Sequence, residues 1–117
     1  MTEFDGEREA VWLALSELFL DLDVTDVLPG VEAALRASPY SAEDLEQIML
    51  DEVYPVCHWN LRSVAGEWTG FDRDWLVERC TDRAALPGWR RALLRGLHRR
   101  GLHRLVPEWA EVLKALR

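Results

Sequence analysis

Three histidines, two cysteines and a surplus of carboxylates are the side chains of this sequence that could do chemistry. To hold zinc, His58, His98 and His103 would need cysteine or carboxylate partners within tetrahedral reach. Cys57 and His58 are adjacent, so on a helix their side chains point about 100° apart. His98 and His103 lie in an arginine-rich stretch that repels a cation. No metal site is expected from these spacings. A Cys57–His pair could form a nucleophile, but no local signature supplies the orienting group and oxyanion donors it would need. Cys57 and Cys80 have neither a CxxC spacing nor a secretory context, so two reduced thiols are expected, with a disulfide between them as the alternative.

The carboxylates Asp21, Asp23, Asp26, Asp51, Glu52 and Glu67 are plentiful enough that some close pair arises by chance, which says nothing about acid–base catalysis. Asp21, Asp23 and Asp26 lack the glycine and the terminal glutamate of a calcium loop. Neither GxGxxG nor GxxxxGK[ST] occurs, so a glycine-rich phosphate loop is unsupported. The expectation is a chain with no cofactor, no metal and no catalytic residue, and hence not an enzyme.

Charge is the more informative feature. The net charge is -7, yet residues 1–56 hold 14 acidic and 2 basic side chains, whereas residues 79–117 hold 3 acidic and 10 basic ones. Opposite halves of this kind fold back to neutralise each other, or present an acidic face to a basic partner. The arginines of residues 90–104 could contact phosphates or an anionic membrane surface. The acidic first half opposes that, so neither nucleic acid nor membrane is expected as a partner.

The elements that would position these groups are helical. At 117 residues the chain fits one domain, residues 1–117, with a core of its own. Val11, Trp12, Leu15, Leu18 and Phe19 mark a first helix over residues 7–20. A second spans residues 27–37, with Pro29 tolerated in its first turn. Ser41 and Asp44 form a capping box, and Tyr40 and Leu45 a hydrophobic staple, opening a third helix that Pro55 kinks or ends. Residues 56–71 read as a helical turn and a structured loop. A further helix, from residue 72 or 73 to 83, buries Trp75, Leu76 and Cys80. In residues 89–105, Leu93, Leu94, Leu97 and Leu102 are expected inside and Arg90, Arg91, Arg95, Arg99, Arg100 and Arg104 outside. Pro107 opens a last helix carrying Trp109, Val112, Leu113 and Leu116. The predicted fold is all-α, a compact single-domain bundle of about five to six helices. The acidic N-terminus and the lack of a long apolar run predict a cytoplasmic chain.

Residues 12–21, WLALSELFLD, residues 63–68, SVAGEW, and Gly70-Phe71-Asp72 resemble segments of a family of small bacterial proteins of unknown function. Glu52 to Pro55 and Asn60-Leu61 add to the likeness, which covers most of the chain. In that family the LFLD segment is commonly followed by Thr, where this chain has Leu22. The resemblance implies no biochemical role. By type alone, a small acidic helical chain also resembles immunity proteins and antitoxins, which bind and neutralise a toxin.

The leading expectation is therefore a protein-binding module that neutralises a basic partner. Its acidic surface would include Asp21, Asp23, Asp26, Glu43, Asp51 and Glu52, turned outward by the helical periodicity. The alternatives are a structural or self-associating protein, a homodimer among its forms, and nucleic-acid or membrane contact through residues 90–104.

Overall fold

The computed structural model describes residues 6–19, 24–62 and 73–117. Helix α1 (Gly6–Ser16) runs into a 3-10 turn at Glu17–Phe19. Helix α2 is Val24–Ala37, and α3 (Ala42–Ile48) passes through a π-helical turn at Met49–Val53 into α4 (Tyr54–Arg62). Then come α5 (Arg73–Ala84), α6 (Gly88–Leu105) and α7 (Glu108–Leu116). Because residues 42–62 are one unbroken rod, the described residues form six rods, and the all-α bundle stands as expected. Asp21, Asp23, Glu67 and the loop expected after residue 62 lie outside the described residues.

Local signals account for several boundaries. Ser41 Oγ accepts from the Asp44 amide at 3.1 Å while the Asp44 carboxylate accepts from the Ser41 amide at 3.4 Å, a reciprocal capping box that opens α3. Pro107 directly precedes α7, where its missing N–H costs nothing. Pro29 does not sit in a first turn: α2 starts three residues earlier than predicted, and the proline lies inside it.

Pro55 differs most from expectation. It neither ends nor breaks the rod, because the backbone reorganises just before it. The Tyr54 N–H bonds to the Met49 carbonyl, five residues back, which is the π register. That leaves the Leu50 carbonyl without Tyr54, and Pro55, next in line, has no N–H to offer. The Asp51 carbonyl loses its ordinary donor to the same proline. Both are answered from outside the rod. His98 Nδ1 lies 3.0 Å from the Leu50 carbonyl, and Arg83 Nε donates to the Asp51 carbonyl at 3.4 Å.

The core gathers around this turn. Trp12, Leu15, Leu18 and Phe19 from the first rod meet Val31 and Leu35 of α2, Leu45, Ile48, Met49, Leu50, Val53 and Tyr54 of the central rod, Leu76 and Cys80 of α5, Leu102 of α6, and Trp109, Val112 and Leu113 of α7. Arg36 of α2 donates to the Ala115 carbonyl at 2.9 Å, tying α2 to the end of α7. Trp75 is 38% exposed, contrary to the expected burial, because α5 turns Leu76 and Cys80 inward instead.

Trp12 and Trp109 are both fully buried, but their indole N–H groups are treated differently. Trp12 Nε1 donates to Glu52 Oε1 at 2.8 Å, whereas Trp109 Nε1 has no acceptor among the described residues. Replacing each by phenylalanine should therefore cost unequally in a denaturant melt. Trp12→Phe removes a hydrogen bond to a buried charge, so it should lose about 1.5–3 kcal/mol more than Trp109→Phe. Equal losses would mean that the Glu52 bond contributes nothing.

Candidate functional site

Of the acidic residues predicted to form a binding face, the four that are described, Asp26, Glu43, Asp51 and Glu52, are split between surface and core. Asp26 is exposed in the first turn of α2, and Glu43 is exposed in the first turn of α3, 3.7 Å from Arg117. Asp51 and Glu52 face inward, 2% and 1% exposed, against the expectation that they point to solvent. Asp51 receives Arg95 in a two-pronged contact, Nε at 3.1 Å and Nη2 at 2.7 Å. Glu52 receives Arg8 through Nε at 3.1 Å and Nη2 at 2.5 Å, and Trp12 as well. A carboxylate cannot enter a core unless charge and hydrogen bonds come with it, and here they come from α1 and α6.

The guanidiniums respond accordingly. The Asp51 hydrogen bond outweighs burial and holds Arg95 above its ordinary value. Burial alone would lower Arg8, but the hydrogen bond and charge of Glu52, with Tyr40, hold it up. Desolvation, with Arg90 nearby, lowers Arg83. Arg99–Glu46 and Arg117–Glu43, both 3.7 Å, join Arg95–Asp51 in linking the acidic first half to the basic last third. The two halves do fold onto each other.

This arrangement turns α6 around relative to the pattern expected of it. Arg95, His98 and Leu102 face the bundle, so Trp89, Leu93 and Leu97, at i, i+4 and i+8, face outward and are 67%, 73% and 67% exposed. Two of the leucines assigned to the core are thus on the surface, while Arg95, assigned to the surface, is half-buried. At 100° per residue, Arg100 and Arg104 fall on the same outer side as that stripe.

Beside the C-terminal half of the stripe lies a cleft of about 510 Å³ lined by Tyr54 and His58 of α4 and Leu97, His98, Arg100, Gly101 and Arg104 of α6. Tyr54 stacks on His58 with ring centres 4.9 Å apart, and His98 tilts against its ring at 5.4 Å. Burial, reinforced by Arg83, lowers the His98 pKa below its ordinary value, so the ring is neutral at pH 7. With the Leu50 carbonyl as acceptor, its Nδ1 must carry the proton. The sequence held a signal for this cleft in the spacing of Leu97, Arg100, Gly101 and Arg104, but their partners on α4, Tyr54 and His58, lie 39 to 50 residues away.

Two further candidates are chemically quiet. A cleft of about 320 Å³ brings together Asp44, Asp51, Glu52, Arg8 and Arg91, but Glu52 is held by Arg8, Asp51 by Arg95, and Asp44 caps α3 through Ser41. Cys57 and Cys80 are buried free thiols, and desolvation pushes both far above the ordinary thiol range, which suppresses the nucleophilic thiolate. Among the described residues no group of three or more His, Cys, Asp or Glu side chains could hold a metal ion.

Gly101 is required where α6 crosses Tyr54. A Cβ there would overlap the Tyr54 hydroxyl and lie 2.8 Å from Cζ, whereas a Cβ at Gly96 meets nothing within 4 Å. Gly96→Ala should thus stabilise the protein by about 0.5–1 kcal/mol in thermal melts. Gly101→Ala should destabilise it by about 1–3 kcal/mol despite the same gain in helix propensity. A stabilising Gly101→Ala would show that α6 does not pack on Tyr54 this closely.

No curated protein and no solved structure matches this chain. One family model does, a domain of unknown function (DUF7079), over residues 6–115. With nearly its whole length matched, the chain belongs to the DUF7079 family.

Proposed function

We propose that this chain is a non-enzymatic protein-binding module that engages its partner through the outer face of α6. The observation that carries the reading is the stripe of Trp89, Leu93 and Leu97, all about two-thirds exposed or more. Single exposed hydrophobes are ordinary, but three large ones in register along about 12 Å of helix form a contiguous apolar strip. Spacing of i, i+4 and i+8 is how a helix presents anchors to a groove or to another helix.

Charge narrows the partner. No acidic residue occurs within Gly88–Leu105, while Arg90, Arg100 and Arg104 are exposed and form no ion pair among the described residues. An apolar segment with an acidic rim complements this face. The same charge disfavours pairing of α6 with α6 of a second copy. Contact of residues 90–104 with nucleic acid or a membrane surface loses two of its cations, since Arg95 and Arg99 lie against Asp51 and Glu46. No helix among the described residues is long and apolar enough to cross a membrane.

A second reading, a basic partner on the acidic first half, keeps the support of exposed Asp26 and Glu43 but not of Asp51 and Glu52. An immunity or antitoxin role, in which the module neutralises a toxin by stoichiometric binding, fits either surface.

A photo-crosslinking amino acid placed at Leu93, Leu97 or Asp26 in cells that make the protein natively separates the two. The expected result is one shared adduct from positions 93 and 97, the position-97 adduct being lost in Leu93→Glu with the circular dichroism spectrum unchanged, and no such adduct from position 26. An adduct from position 26 alone would transfer the function to the acidic surface. No adduct from any position would remove the binding-module reading.

A further inference from the structure

The cleft between α4 and α6 shares Leu97, Arg100 and Arg104 with the docking face but adds Tyr54, His58 and His98, which partner docking does not use. We propose that it binds a small phosphomonoester that also carries a hydroxyl group, the pattern of a sugar phosphate or a mononucleotide.

Its volume, about 510 Å³, lies within the range of small-ligand pockets. Two guanidiniums, Arg100 and Arg104, stand one helical turn apart at its rim, and none of the residues lining it is a carboxylate. Their neighbours on the same helix are spent on protein anions, Arg95 on Asp51 and Arg99 on Glu46. Among the described residues Arg100 and Arg104 have no anion, so the cleft holds a local positive charge on a chain that is -7 overall. Paired guanidiniums at this spacing suit the oxygens of one phosphoryl group.

The interior is built rather than incidental. Tyr54, buried between the two imidazoles, forms an aromatic wall, and Gly101 keeps the α6 backbone against it. His98 is anchored through Nδ1 to the Leu50 carbonyl that the π turn released, leaving Nε2 as its remaining polar atom. In a neutral ring with Nδ1 protonated, Nε2 accepts a hydrogen bond. An anion alone would leave that acceptor unused, whereas a ligand hydroxyl next to the phosphoryl group fills it.

A small ligand is favoured over a polymer because a nucleic-acid chain leaving the cleft meets a molecule of net charge -7, with Glu7, Glu17, Asp26 and Asp44 among its exposed carboxylates.

The test is a titration of the full chain with ribose 5-phosphate, inorganic phosphate or a single-stranded RNA 20-mer, followed through the imidazole resonances. Ribose 5-phosphate is expected to shift His58 and His98 saturably and to leave His103 in place. Inorganic phosphate should bind at least about fivefold more weakly, because it brings no neighbouring hydroxyl. The double variant Arg100→Gln, Arg104→Gln should weaken ribose 5-phosphate at least about tenfold with the thermal melt unchanged, while Arg90→Gln should not. Absence of saturable shifts, or unchanged binding in the double variant, would overturn the proposal. Equal binding of inorganic phosphate would overturn the hydroxyl requirement, and tighter RNA binding with the same shifts would replace the small ligand by a nucleic acid. Leu93→Glu lies outside the cleft, so loss of crosslinked partner in that variant and loss of ribose 5-phosphate in the arginine variant fail independently.

Discussion

The π turn at Met49–Val53 places two carboxylates and two under-donated carbonyls inside the bundle, and the surrounding helices are arranged to answer them. Leaving an ionised carboxylate unpaired in a core costs several kcal/mol, and an orphaned carbonyl adds about 1–3 kcal/mol. Arg8 and Trp12 of α1 converge on Glu52, Arg95 of α6 on Asp51, Arg83 of α5 on the Asp51 carbonyl, and His98 of α6 on that of Leu50. Three helices are thereby held to one stretch of three residues. Buried ion pairs are weak contributors to net stability when compared with apolar substitutes. Their effect here is on arrangement, since the directional fork of Arg95 sets which side of α6 faces in.

That dependence explains what could be read from the sequence. The capping box of Ser41 and Asp44 was legible because it is local, and the stripes of α1 and α7 were legible because their apolar residues crowd onto one side. Helix α6 carries leucines and arginines around its whole circumference. Leu93 and Leu97 lie on one side with Arg100 and Arg104, and Leu102 lies on the other with Arg95 and His98. Periodicity alone cannot choose between these faces. The choice is made by Asp51, 44 residues away, which no local pattern reveals. Pro55 misled for the same reason, because the bonds it removes are replaced by side chains 32 and 48 residues distant. The candidate site was less legible than the fold: of its residues, the sequence offered only an arginine run without a direction.

The proposed function rests on this orientation. With Arg95 and His98 drawn inward, Trp89, Leu93 and Leu97 are left as an exposed apolar stripe, and Arg100 and Arg104 are left beside the Tyr54 cleft without anions among the described residues. Had the leucines turned inward, α6 would present a solvated cationic face and no apolar anchor. The acidic half, which dominates the composition, is instead partly consumed in holding the structure together, with Asp51 and Glu52 buried against Arg95 and Arg8, and net charge alone does not reveal the apolar stripe of α6.

The central claim, that Asp51 sets the phase of α6, is tested most directly by native-state thiol labelling of single cysteines introduced at Leu93, Leu97 and Leu102, each with and without Asp51→Leu. Fast labelling at 93 and 97 and strong protection at 102 are expected when Asp51 is present, with the contrast collapsing once Asp51 is replaced. Protection at 93 and 97 with Asp51 present, or an undiminished contrast without it, would contradict the account.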